Sequence, residues 1–307
     1  MNKNKTYLLG GVLLVLVVVA YFLTADRGPV TTSGDKLNKE KEFFVVDSAN
    51  VDKIEIVTNK GKIVLVKAGG VWKQSEPVDY PVTANFVPAA VENLKNFTLS
   101  SIVSTNPTRL DTYGFNDTNK AAVTVFEKGQ NKGTFIMGNS GIGASQTYIK
   151  RPDNNVVFLA DNLLRLNFVK ENLDAFRDKF IMSIPTGSIK SIDFSLPGES
   201  YRILKDSVNR FSIGSDTIAF TNMEGYLNLL QNMNTQDFYA GSLDTVKNFT
   251  ASIKVDADKP YELNFLKVNA EVPYYLLRTT NKNQIFKFDE ALANSFLKRK
   301  AEFLAKQ

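Results

Sequence analysis

Apolar residues fall along this chain in three regimes. From Tyr7 to Leu23 they run unbroken, YLLGGVLLVLVVVAYFL, seventeen positions without a charge. From Thr24 to Glu42, TADRGPVTTSGDKLNKEKE, they thin out and lose all periodicity. From Phe43 onward they alternate or recur at helical spacing, in short bouts separated by Gly, Pro, Asn and Asp. The first regime predicts a transmembrane helix, at the short end of the roughly 17–25 residues that span a bilayer. Lys3 and Lys5 precede it, so the positive-inside rule keeps the N-terminus in the cytoplasm and carries the bulk of the chain across the membrane. A cleaved signal peptide shares the basic start and apolar centre, but this run is longer than a usual signal core and FLTADRG offers no A-x-A site. The second regime predicts a linker. As a flexible coil of about 5–6 Å × √n it would hold the folded part on the order of 25 Å from the membrane.

The third regime reads as one pattern met twice. VDKIEIVTNKGKIVLVK, from Val51, alternates around Asn59-Lys60-Gly61 and predicts a hairpin; IKSIDFSLPGESYRILK, from Ile189, does the same around Pro197-Gly198. A helix follows each. TANFVPAAVENLKNF from Thr83 carries Phe86, Ala90, Leu94 and Phe97 at helical spacing, and TNMEGYLNLLQNMN from Thr221 carries Met223, Leu227, Leu230 and Met233, each behind a Thr N-cap. Leu110-Asp111-Thr112 recurs as Leu243-Asp244-Thr245, and each is followed by a strand, from Lys120 and from Thr250. The copies rejoin from Thr147 and from Tyr274 as strand, polar turn, strand and a helix begun by Asp161 or Asp289. Short strands, hairpins and no β-helix-β series predict antiparallel sheets. The expected architecture is α+β: an anchor with its cytoplasmic tip over 1–23, a linker over 24–42, and duplicated units of antiparallel sheet with covering helices over 43–184 and 185–307. Pro185 and Gly187 mark the boundary, and a cleft is expected between the units.

Composition removes whole classes of function. The 307 residues contain no Cys and no His, which excludes disulfides, lipid-modified cysteine, thiolate or imidazole metal ligands, and Ser-His-Asp or Cys-His catalysis. An enzyme would need carboxylate, Lys, Tyr or Ser-Lys chemistry, so the reading leans against one, with no cofactor and no metal. The net charge of +5 suggests nucleic acid, but residues 1–42 hold six basic and four acidic side chains, and no basic patch with interleaved aromatics stands out. Nucleic acid is rejected as a partner.

Local motifs mostly favour plain roles. Gly138–Ser145, GNSGIGAS, resembles an anion cradle, yet a strand follows it and no Lys closes it, so it is read as a turn. Asp256 and Asp258 lack the further oxygen ligands and closing Glu of a calcium loop. Asp111 and Asp244 suit helix starts or turns. The candidate ligand or partner contacts are aromatic. Trp72, the sole tryptophan, could stack on a ligand but is favoured as core, while Tyr239 in DFYAG and Tyr274 and Tyr275 in PYYLL could line the inter-unit cleft.

Several strings also carry a family likeness: Gly70-x-Trp72 with Pro77 after it, LDTYGF from Leu110 to Phe115, and Met137-Gly138 leading to Tyr148 and Val156-Val157-Phe158. With the N-terminal span, the chain resembles the bacterial family catalogued as domain of unknown function 4340, over most of residues 65–250. Phe115 departs from the Leu common in that family. The resemblance implies an inner-membrane-anchored envelope protein facing the periplasm, encoded in many members beside gliding-motility-type ABC transporters, and so an ABC permease as partner; it supplies no catalytic residue. Three functions follow as expectations. The first is a non-enzymatic binding or scaffolding auxiliary of such a transporter. The second is a stand-alone glycan- or lipid-binding protein, and the third a carboxylate- or Lys-dependent hydrolase of envelope polymers.

Overall fold

The computed structural model describes residues 45–305 apart from 97, 144, 242–244 and 281–283; the expected anchor (7–23), the linker (24–42) and the repeated Leu243-Asp244 lie outside those residues. Among the described residues no helix is long and apolar enough to cross a membrane. Two compact units emerge, one from residues up to Tyr80 with Asn85–Leu173, the other from Pro81–Ala84 with Asp174 onward.

The first unit contains β1 (Val51–Thr58), β2 (Gly61–Ala68), β3 (Val71–Glu76), β4 (Tyr80–Pro81), α1 (Phe86–Asn96), β5 (Thr98–Ser104), a 3-10 helix (Pro107–Tyr113), β6 (Ala121–Glu127), β7 (Gln130–Ser140), β8 (Gln146–Lys150), β9 (Val157–Asp161) and α2 (Leu164–Phe168). Its nine strands lie in the order β4-β3-β2-β1-β6-β7-β8-β9-β5. The second unit contains β10 (Phe180–Met182), β11 (Ser191–Leu196), β12 (Glu199–Lys205), β13 (Phe211–Ile213), β14 (Asp216–Thr217), α3 (Phe220–Gln231), β15 (Met233–Asn234), β16 (Asp237–Phe238), β17 (Ala251–Asp256), β18 (Pro260–Val268), β19 (Tyr274–Thr279), β20 (Ile285–Asp289), α4 (Glu290–Phe296) and α5 (Lys300–Leu304). Its nine-stranded sheet runs β14-β13-β12-β11-β17-β18-β19-β20-β16, the same path step for step.

The registers agree as well as the order. Ile54 faces Leu65 and Val125, as Ile192 faces Ile203 and Val255. Ala121 faces Met137 and Met137 faces Ile149, as Ala251 faces Phe265 and Phe265 faces Leu277. Ile149 then faces Phe158, as Leu277 faces Phe286. All these pairs are antiparallel. Nearly every residue in them is fully buried, because alternate side chains on one face of each sheet meet the apolar stripes of the helices. In the first unit that stripe is Val87, Ala90, Val91 and Leu94 of α1 with Leu164 and Phe168 of α2; in the second it is Met223, Tyr226 and Leu230 of α3 with Ala293 and Phe296 of α4.

Several local expectations are corrected. Helix α3 has Ala219 at its N-cap with no side-chain cap, so Thr221 sits inside the first turn; α1 starts at Phe86, and Thr83 N–H instead donates to Phe176 O at 3.1 Å. Tyr226 rather than Leu227 is buried with Met223 and Leu230 in α3, and Met233 belongs to a strand. Asp289 does cap α4, accepting from Leu292 N–H at 2.7 Å, whereas Asp161 caps no helix: α2 begins later, behind Leu163. The second unit also begins before Pro185. β10 pairs with β15, and Ile184 N–H reaches Leu230 O at 2.9 Å, so the residues ahead of that proline are already tied to it.

Candidate functional site

Two of the strings that carry the family likeness, LDTYGF and Met137-Gly138 with Tyr148, meet at one corner of the first unit, whereas Gly70-x-Trp72 lies at β3, four strands from β7 in the sheet. Asn106 starts the 3-10 helix by accepting from Thr108 N–H at 2.9 Å. Gly114 ends it at φ +81°, its N–H on Asp111 O at 3.0 Å; a left-handed residue there is the natural place for glycine. The helix lies against β7 so closely that a Cβ on Gly138 would sit 2.1 Å from Tyr113 O, which no side chain allows. Tyr113 packs edge-on against Tyr148, with ring centroids 5.0 Å apart, and its hydroxyl donates to Val103 O at 3.3 Å. LDTYGF is therefore a strap laid across the sheet.

Arg165, the second residue of α2, locks that strap. Its guanidinium donates to Asn119 Oδ1 at 2.6 Å, to Asn119 O at 3.2 Å and to Gly138 O. Asn119 Nδ2 in turn donates to Gly114 O at 3.1 Å and Asn139 Oδ1 at 2.6 Å. Burial pushes the Arg165 pKa down from its ordinary value, because the charged guanidinium loses hydration there. Acceptors of this kind suit a structural clamp better than a catalytic cation, which would aim its charge at open space.

The second unit builds the same corner from apolar residues. By register, Tyr148 corresponds to Leu276 and Gly138 to Leu266. Leu276 is buried with Val246 and Ile285, and Tyr239, Phe249, Leu266, Val268 and Tyr274 pack on them. Four residues after Asp161 stands Arg165; four after its counterpart Asp289 stands the buried Ala293. Beside this corner, on the helix side of the sheet, opens a cavity of about 390 Å³ lined in part by Tyr275.

The candidate aromatic contacts are thus placed apart in role. Trp72 is only 7% exposed on β3 and packs in the first unit. Tyr239 and Tyr274 are half-buried against the second unit's apolar corner, Tyr274 with Lys287 Nζ 4.7 Å from its ring centroid. Tyr275 alone lines the cavity. Gly138 lies within β7, which ends at Ser140, and Gly141 and Gly143 make the turn to β8, Gly141 N–H meeting Gln146 O at 2.9 Å. Asp258 accepts from the Tyr261 hydroxyl at 2.9 Å and Asp256 faces Lys190 at 3.9 Å, so the pair serves a turn. Among the described residues no three His, Cys, Asp or Glu side chains are grouped to hold a metal.

Arg165, Asn119 and Asn139 were not anticipated from sequence. A signal existed for Arg165: a cation between Leu164 and Phe168, both buried, on a short helix. The cavity's other polar residues come from separate segments, and nothing in their spacing links them.

A family model described as Domain of unknown function (DUF4340) matches residues 72–264. No curated protein and no solved structure matches the chain.

Proposed function

The chain belongs to the Domain of unknown function (DUF4340) family, and from that membership we propose a non-catalytic, membrane-anchored protein that binds or scaffolds beside an ABC-type transporter. In this reading residues 7–23 are the span, the N-terminus is cytoplasmic, and the two units, copies of one duplicated ancestor, stand in the periplasm. The observation that carries it is the engagement of the family's signature residues. Tyr113, Gly114 and Gly138 bond or abut one another through backbone and ring, and the polar side chains beside them, Asn106, Asn119 and Arg165, are turned onto backbone and amide groups. In this chain those residues form a strap held by its own lock, which favours a scaffold over a reaction centre.

The test is co-purification of the tagged full chain from its own membranes in mild detergent, followed by mass spectrometry. Specific recovery of an ABC permease and its ATPase, lost when the two units are deleted or residues 1–23 are replaced by another anchor, supports the proposal. Recovery of nothing above background overturns it. Orientation has a direct readout, because the chain has no cysteine of its own. A Val272→Cys variant, at a position 76% exposed, should react with an impermeant maleimide in intact spheroplasts.

A further inference from the structure

The 390 Å³ cavity of the second unit lies in the range of small-molecule sites, about 300–1,000 Å³. Its polar wall is made by Thr250, Lys267, Tyr275, Asn294, Arg299 and Glu302. The charged members are already satisfied. Lys267 Nζ meets Glu290 at 2.5 Å; Arg299 donates to Pro197 O at 2.9 Å and faces Glu199 at 3.5 Å; Glu302 accepts from Arg299 N–H at 2.6 Å. Each cation of this wall thus has an acidic partner, and Glu302 has a backbone one.

The groups left open are neutral. The Tyr275 hydroxyl, the Asn294 amide and the Thr250 hydroxyl make no side-chain hydrogen bond within the described residues, and Asn294 and Thr250 are exposed. Together they offer hydroxyl and amide donors and acceptors beside an aromatic ring, with Leu196 and Leu297 completing the apolar side. The first unit holds no such set at the corresponding positions. Thr147 stands where Tyr275 does, 1% exposed and bonded to Asn162 O at 3.3 Å.

We propose that this cavity is a binding site for a neutral glycosyl unit, its ring laid on Tyr275 and its hydroxyls met by Asn294 and Thr250. Neutral polyhydroxyl ligands match this chemistry: alternating C–H and O–H groups need an apolar face and uncharged hydrogen-bonding partners together. The site does not depend on the transporter reading and holds whether the protein acts alone or in a complex.

The experiment is saturation-transfer NMR on the full chain in a zwitterionic detergent without a sugar headgroup. The probes are methyl β-glucopyranoside, N-acetylglucosamine and glycerol 3-phosphate at about 20 mM, since so few contacts support affinities of only about the millimolar range. A pyranoside should take up saturation, and Asn294→Ala and Tyr275→Ala should each weaken its binding about tenfold. The Asn294 side chain is exposed and makes no hydrogen bond among the described residues, so its variant keeps the test valid even if Tyr275→Ala unfolds. The proposal is overturned by no transfer to either sugar, by transfer that survives Asn294→Ala unchanged, or by stronger transfer to glycerol 3-phosphate.

Discussion

The two units follow the same strand path in the same register and yet are filled differently. Where the first places Ile56 opposite Ile63, the second places Phe194 opposite Tyr201, their rings stacked at 4.6 Å and 8°. Ala90 of α1 has as its counterpart the fully buried Tyr226 of α3, and Phe303 of α5 closes against all three rings. At the opposite corner the contrast reverses: the first unit uses Arg165 and two asparagines, the second a purely apolar cluster. Register is held by alternation and turns, which any apolar residue satisfies. Side-chain volume and polarity can therefore differ between the units as long as each corner is satisfied as a whole.

If the second unit rests on its aromatic cluster, Phe303→Ala should be the costliest change. Its side chain is fully buried among Phe194, Tyr201 and Tyr226, and such truncations cost about 3–5 kcal/mol. Urea unfolding with hydrogen exchange on β11 and β12 measures it. A loss confined to α5 itself, with those strands still protected, would show that the first unit's aliphatic solution also suffices in the second. Burial pushes the Tyr226 pKa far above its ordinary value, and its hydroxyl donates to Phe296 O at 3.2 Å, so Tyr226→Phe isolates that bond at about 1 kcal/mol.

The strap gives the next contrast. Gly138→Ala forces backbone apart where Tyr113 O lies 2.1 Å from the new carbon and should cost about 3 kcal/mol. Its counterpart Leu266 is half-buried, and Leu266→Ala should cost about 1 kcal/mol. Equal losses would mean that the two corners are closed in the same way after all. Arg165→Ala should cost about 2–3 kcal/mol by stranding the acceptors at Asn119 and Gly138, and Arg165→Lys should rescue little because one ammonium cannot reproduce the planar fork. Chemical denaturation of the four variants ranks them.

Sequence alternation was enough to find both opening hairpins, the antiparallel character and the paired order of elements, because each depends on local period and turn chemistry. Helix starts were harder to read. Thr83 and Thr221 look like caps, but the chain bonds Thr83 elsewhere and begins α3 one residue ahead of Thr221. From sequence Tyr275 is expected to line a cleft between the units, whereas it lines a cavity within the second; Asn294 and Thr250, which line it too, sit on α4 and just ahead of β17, and no spacing links them to Tyr275. Arg165 escaped notice for the same reason, since its acceptors lie 46 and 27 positions away.

The smallest contrast concerns the two aspartates at the ends of β9 and β20. They occupy equivalent register positions, but only Asp289 caps a helix. The Leu292 N–H and then the Gln236 amide hold its carboxyl below its ordinary value of 3.8. A carboxylate with a depressed folded pKa adds stability that is complete above the unfolded value and disappears as pH falls through the folded one. Wild-type stability should therefore decline below about pH 4 in part through this residue. Asp289→Asn keeps a capping oxygen but cannot ionise, so its pH profile should lose that share of the decline while the neutral-pH midpoint shifts little. Parallel urea midpoints from pH 3 to 7 for the two proteins decide it: superimposable acid limbs would mean that the cap of α4 draws nothing from the charge, and that the two aspartates differ in geometry alone.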